Sequence, residues 1–191
     1  MDLTIRIAGE AGQGLVSVGE ILSGALSRCG VHVFSGMSYM SRIRGGLNWF
    51  DIRIADTELF GLREKADMLV ALTDPALEYL REELTEDPVI IHNSEEERET
   101  GSFDFVKVAK DTGGSRIMIN SVAAGAVFAS IGYDLDKLNE HLAEIFQSKS
   151  EDVVKKNTAC AKAGYDIIAD RKISIKAPKM RGEPIGEMTA G

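Results

Sequence analysis

The stretch Thr4–Gly14, TIRIAGEAGQG, constrains this chain more than any other. Three glycines, Gly9, Gly12 and Gly14, crowd into the six residues that join an apolar run to an amphipathic one. Thr4–Ala8 alternates, with isoleucines at 5 and 7, and predicts a short buried strand. Beyond Gly14, the positions Leu15, Val18, Ile21, Leu22, Ala25 and Leu26 recur at helical spacing as far as Cys29, and Gly30 supplies a stop. Strand, glycine turn and helix open a βαβ unit, with Val31–Phe34 as its second strand. Such a turn lets the backbone approach a phosphate while the helix N-terminus offers unpaired N–H groups. The spacing is G-x-x-G-x-G, whereas the dinucleotide fingerprint is G-x-G-x-x-G. Ser35 and Gly36 follow the second strand where that fingerprint wants an acidic residue. Both points argue against NAD or FAD. The same glycines serve equally well as a tight strand-to-helix corner, so the turn alone leaves phosphate binding and plain architecture open.

A second glycine-rich segment follows, Ser35–Gly46, reading SGMSYMSRIRGG. It sets Ser38, Tyr39 and Ser41 beside Arg42 and Arg44 and closes on Gly45 and Gly46. Arginine forks match phosphate or carboxylate geometry, and glycines keep backbone amides accessible. In a chain of formal net charge −8, this is either an anion-recognition loop or a solvated loop whose arginines pair with surface carboxylates. The next run alternates Trp49, Asp51 and Arg53 against Phe50, Ile52 and Ile54, which predicts a strand with one wet face.

Downstream, Ala55–Thr57 reads as a turn, Glu58–Phe60 as a short strand, and Met68–Asp74 as a buried strand. Asp74 is the expected N-cap of a helix with Pro75 in its first turn. A strand from Val89 to His92, a charged loop over Glu95–Ser102 and a short strand over Asp104–Lys110 follow. Ser121–Leu135 forms a small-residue helix able to lie close to the sheet or a partner, with Asn120 or Ser121 as its cap. Two more helices carry Leu135, Leu138, Leu142, Ile145 and Phe146, then Val153, Val154, Ala161, Ile167 and Ile168. The remainder, from Ile173, is rich in proline and glycine and reads as a linker or an extended arm.

With 191 residues, 44% of them hydrophobic and 27% charged, the chain suits one domain of ordinary globular composition. Its acidity disfavours nucleic acid as a partner. No apolar run reaches the length of a membrane span, so the expected setting is cytoplasmic. Cys29 and Cys160 are too far apart for a cluster cage, and His32, His92 and His141 show no metal spacing.

Strand, GEAGQG, helix, the SRIRGG loop, the ADMLVALTDPA segment and INSVAAGAVFASIGYDL occur in an order that resembles one family. It is similar to the gamma subunit, or gamma domain, of the 2-oxoacid:ferredoxin (acceptor) oxidoreductases acting on pyruvate, 2-oxoglutarate, 2-oxoisovalerate or indolepyruvate. The resemblance spans Leu3 to about Asp170. Ala11 departs from it, standing where the family turn usually carries its second glycine. The resemblance implies an α/β fold: a three-layer α/β/α domain over 1–172, with a mixed, mostly parallel sheet and a Rossmann-like βαβ start. The segment 173–191 is then a C-terminal tail or linker, similar to a junction with an alpha domain. It further implies coenzyme A-dependent oxidative decarboxylation divided among subunits. Thiamine diphosphate, magnesium and iron–sulfur clusters would sit on alpha and beta partners, with a delta or ferredoxin-like subunit and ferredoxin as acceptor. This chain would bind no cofactor tightly alone and would not turn over alone. Coenzyme A is the expected shared ligand, held by Gly9, Gly12, Gln13, Gly14, Ser41, Arg42, Arg44, Gly45 and Gly46. A self-sufficient Rossmann-type NAD or FAD oxidoreductase and a purely structural scaffold are the alternatives.

Overall fold

The computed structural model describes residues 1–10, 14–39, 46–181, 183–185 and 187–189. Strand β1 (Asp2–Glu10) leads through the glycine turn into α1 (Leu15–Arg28), then β2 (His32–Tyr39) and β3 (Leu47–Ala55). After β4 (Ala66–Ala71) come α2 (Asp74–Leu80), extended by a 3-10 turn, then β5 (Leu84–Asn93) and β6 (Gly101–Phe103). Helices α3 (Phe105–Gly113), α4 (Ile119–Ile131), α5 (Leu135–Ile145) and α6 (Glu151–Asp170) follow, and β7 (Glu187–Thr189) ends the order. The strands lie in one seven-stranded sheet, β6-β5-β4-β1-β3-β2-β7. Among the described residues only β3 runs against its neighbours. The sheet is therefore mixed and mostly parallel, with α1 and α4–α6 on one face and α2 on the other. The chain is a three-layer α/β/α domain.

The opening βαβ unit has a strand inside it. β1 and β2 point the same way, but β3 pairs with both, Ile5 opposite Ile52 and Val33 opposite Ile54. Alternation in β3 explains this: Phe50, Ile52 and Ile54 face α1, while Asp51 turns to the other face. The predicted wet face is dry at that point. Asp51 is 2% exposed and Arg6, opposite it on β1, is 3% exposed. Arg6 Nε donates to Asp51 Oδ1 at 2.7 Å and Nη2 to Oδ2 at 3.1 Å, and the guanidinium lies 5.5 Å from the Trp49 ring centre. Burial pushes the Asp51 carboxyl up in pKa against the pull of Arg6.

Other expectations are corrected. No strand forms over Glu58–Phe60. The segment after Asp104 is helix α3, because Phe105, Ala109 and Gly113 bury one face at four-residue spacing and Asp104 Oδ1 caps Lys107 N at 2.8 Å. Thr73, rather than Asp74, is the N-cap of α2, accepting from Ala76 N at 3.4 Å. Neither Asn120 nor Ser121 caps α4, whose N-cap is Met118 without a side-chain bond. α4 is buried almost all round and lies against α6. A Cβ on Gly125 would stand 1.8 Å from the Ala161 carbonyl oxygen, and one on Gly164 would stand 2.1 Å from that of Val122.

The segment after α6 runs back over the domain. Ile175 N donates to Ser130 O at 2.8 Å, Tyr133 Oη to Pro178 O at 2.5 Å, and Arg181 N to Cys29 O at 3.0 Å. β7 then adds to β2 in parallel register. No single helix among the described residues is long and apolar enough to cross a membrane.

Candidate functional site

Between β1 and β4 the chain reverses direction across the sheet: α1 leaves β1 on one face and α2 leaves β4 on the other. Carboxyl ends of parallel strands part at such a point and leave a crevice. Here it is a cleft of about 800 Å³, walled by Glu10 at the end of β1, Leu72 and Asp74 beyond β4, and Asn93 at the end of β5. A second compartment of about 560 Å³ shares Leu72, Asn93, Val106 and Arg116 with it and reaches Gly14 and Asn120.

The floor is set by Asn93. Its side chain donates to Leu72 O at 3.1 Å and accepts from Phe105 N at 2.9 Å, tying the ends of β4 and β5 to the start of α3. Gly14 opens α1 with φ +78°, a left-handed conformation that disfavours any side chain. Among the described residues no side chain caps α1, and its first turn holds no acidic residue. Gly14 and Ser17 line the compartment, so the positive dipole end of α1 lies at its wall.

Both signs of charge line the cleft, Arg98, Lys107, Lys110 and Arg116 beside Glu10, Asp74, Glu95, Glu96, Asp104 and Asp111, and pairing separates the cations. Lys107 is held by Asp111 at 2.6 Å, and Arg98 by Asp74 at 3.3 Å and Glu96 at 3.1 Å. Lys110 and Arg116 also line it, and neither forms an ion pair among the described residues. In an acidic chain, two unpaired cations beside an uncapped helix start suit a polyanion.

Behind Asp74, His92 is fully buried. Asp74 Oδ1 lies 2.9 Å from Nε2, close but misaligned for a hydrogen bond, and Ser102 Oγ is 3.3 Å from Nδ1. Burial pushes the imidazole below its ordinary value, with Asp74 pulling the other way. Ser102 is 1% exposed, so this Ser–His–Asp set is a packing network and not a nucleophile. Both cysteines are buried too, and burial pushes the Cys29 thiol up to about 12. Among the described residues no three His, Cys, Asp or Glu side chains converge.

Of the residues expected to hold an anion, Gly9 lies near the end of β1 opposite Asn48, Gly14 opens α1, and Gly46 precedes β3 with φ +71°. Gly12, Gln13, Ser41, Arg42, Arg44 and Gly45 lie outside the described residues. The second glycine segment joins β2 to β3, and the start of β3 lies between the ends of β1 and β2, with Leu47 opposite Glu10 and Asn48 opposite Tyr39. Sequence reasoning missed Lys110, Arg116 and Asn93. A strand reading of Asp104–Lys110 hid the helical spacing that carries Lys110 to the cleft. Arg116 sits in a connector with no pattern of its own.

The family model for pyruvate ferredoxin/flavodoxin oxidoreductase matches residues 4–167. The 2-oxoglutarate synthase subunit KorC of Archaeoglobus fulgidus is 29% identical over 156 residues, 80% of this chain and 83% of that protein. The fold also matches the 2-oxoglutarate:ferredoxin oxidoreductase of Magnetococcus marinus, solved with 2-oxoglutarate, coenzyme A and succinyl-CoA bound. There the TM-score is 0.76 and the identity 25%, over 96% of this chain but 33% of that longer chain. A keto/oxoacid ferredoxin oxidoreductase gamma subunit from Geobacter sulfurreducens aligns at TM-score 0.72 and 25% identity, over 88% of this chain and 99% of that one. The match runs over residues 4–167 and over nearly the full length of a gamma subunit, and the chain belongs to the pyruvate ferredoxin/flavodoxin oxidoreductase family as the gamma subunit of a 2-oxoacid:ferredoxin oxidoreductase complex.

Proposed function

We propose that this gamma subunit holds the diphosphate of coenzyme A in the cleft at the carboxyl ends of β1 and β4, for a complex that oxidises 2-oxoglutarate. The observation that carries the reading is the meeting of Lys110, Arg116 and the uncapped start of α1 at one switch-point crevice. Its support is chemical: phosphate oxygens accept from amides at a helix start and from charged forks at the rim. Ser41, Arg42, Arg44 and Gly45 are assigned a second set of phosphate contacts by the same chemistry, with Gly12 and Gln13 completing the first. The choice of 2-oxoglutarate rests on the name of the relative KorC.

The described residues do not fit a redox centre or a metal site. Two buried, separated cysteines cannot cage a cluster, and no acidic or imidazole group converges on a cation. Decarboxylation and electron transfer are therefore assigned to alpha and beta partners, with a delta or ferredoxin-like subunit, which would carry the thiamine diphosphate, magnesium and iron–sulfur clusters. Ferredoxin would be the acceptor of the assembly. What this chain's own residues do is bind and orient: they neutralise the phosphates and fix the carrier while its thiol stays free.

Reconstitution with the alpha and beta subunits tests this. Arg116→Ala and Lys110→Ala should each raise the KM for coenzyme A about tenfold, the equivalent of one charge-assisted hydrogen bond, with kcat unchanged. An unchanged coenzyme A KM in both variants, or an equal rise in the KM for the 2-oxoacid, would sink the reading.

A further inference from the structure

Both edges of the sheet are met by the chain that follows α6. β7 lies along β2 in parallel register, from Val33 opposite Glu187 to Ser35 opposite Thr189. The opposite edge is β6, three residues long, which among the described residues pairs with β5 alone. In a parallel pair the N–H and C=O of one residue point to the same side, and successive residues alternate sides. Phe103 O accepts from Ser94 N at 3.1 Å, so Phe103 and Gly101 face β5. Thr100 and Ser102 therefore turn their carbonyls outward, where no strand stands. Such a row of open backbone groups is a template for a strand of another chain.

Arg171, the residue that ends α6, lies over that row. Its Nη1 donates to Ser102 O at 2.7 Å and to Thr100 O at 2.9 Å. The guanidinium carbon is 6.0 Å from the centre of the Phe103 ring. Ser102 N, the outward donor, is taken by Glu99 O at 2.9 Å. A carboxylate is at hand, yet Glu97 stands 3.8 Å from Nη2, too far for a hydrogen bond. The arginine thus spends its fork on backbone oxygens of one strand and leaves the acidic partner loosely held.

We propose that Arg171 guards the free edge of the sheet, occupying Thr100 O and Ser102 O so that a second copy of this chain cannot pair with β6. Two copies meeting there would offer each other the same edge about a two-fold axis. Gly101, Ser102 and Phe103 carry no charge with which to repel an incoming strand, so the guard has to come from elsewhere in the chain. Glu97 and Glu99, on the loop before β6, oppose the approach of a second acidic loop only until salt screens them.

Sedimentation velocity of the full chain at high salt tests the proposal, with circular dichroism to establish the fold of each variant. Arg171→Met keeps a stem of similar length against Phe103 and removes every donor. It should dimerise at concentrations at least tenfold below any at which the wild type does. Arg171→Lys keeps charged N–H donors at the edge and should sediment as the wild type does. Hydrogen exchange of the Arg171→Met dimer should show added protection confined to residues 99–104. Arg171→Ala repeats the test without the stem, should the methionine variant fail to fold. A folded variant without donors that sediments like the wild type at every concentration overturns the proposal, even if it is less stable, because the arginine is then only a brace. Dimerisation of Arg171→Lys to the same extent as Arg171→Met, or protection that falls outside 99–104, overturns it as well.

Discussion

His92 shows what burial does to a single side chain. It sits at 0% exposure on β5 with Asp74 and Ser102 against its two nitrogens and Arg98 beyond Asp74. Burial depresses its folded pKa below the ordinary 6.5, and Asp74 only partly opposes this. The unfolded chain therefore takes up a proton that the folded chain refuses. The stabilisation from neutral His92 is complete above about pH 6.5 and is lost as pH falls from there through the folded value, with a slope approaching about 1.4 kcal/mol per pH unit. Urea unfolding between about pH 7.5 and 5.5 should show that fall, and His92→Gln should flatten it. A profile unchanged by the substitution would assign the acid sensitivity elsewhere. Glycines tell the opposite story about legibility. Gly14, Gly30 and Gly46 all take φ between +71° and +78°, and their positions were readable because almost no other residue tolerates that backbone. The Arg6–Asp51 pair was unreadable, since its members stand 45 residues apart and only strand pairing brings them together.

At the level of elements, helical periodicity carried α1, α5 and α6 well, β-branched runs carried β1 and β5, and a near-continuous apolar run carried β4. Helix α3 failed because half-buried Val106 and Val108 imitate the alternation of a strand, while Phe105, Ala109 and Gly113 hold the true period. The α4–α6 contact depends on two glycines, each facing a carbonyl of the other helix. Gly125→Ala forces a methyl to 1.8 Å from a backbone oxygen, so the two helices must separate. The expected loss is on the order of 3 kcal/mol, read as a lower denaturation midpoint with an unchanged denaturant slope. Stability within about 0.5 kcal/mol of wild type would mean that the helices do not meet at this distance. On exposed surface the same substitution would be mildly stabilising.

For the whole molecule, the segment after α6 acts on the face remote from the cleft. It engages the carboxyl ends of α1 and α4 through Cys29, Ser130 and Tyr133, and Ile173, Ile175 and Ala177 pack onto the core. Removing residues 173–191 uncovers that surface and hands the Tyr133 hydroxyl to water, a loss of about 0.5–1.5 kcal/mol from the hydrogen bond alone, with the lost apolar burial added to it. The midpoint of thermal unfolding should fall by on the order of 5 °C. The KM for coenzyme A in the reconstituted complex should stay within about twofold of wild type, because no residue lining the cleft or the cavities beside it lies in that segment. A large rise in that KM with little change in stability would place the tail in the site.

What the sequence determined by itself was local. It set the identity of most elements, the glycine corners and the likeness to one family, because these depend on residues adjacent in the chain or one helical turn apart. Tertiary structure decided the rest. The insertion of β3 between β1 and β2, the burial of Arg6 with Asp51, and the arrival of Lys110, Arg116 and Asn120 at one cleft all follow from strand order. Strand order is chosen by the combined burial of both sheet faces, an energy no single segment contains.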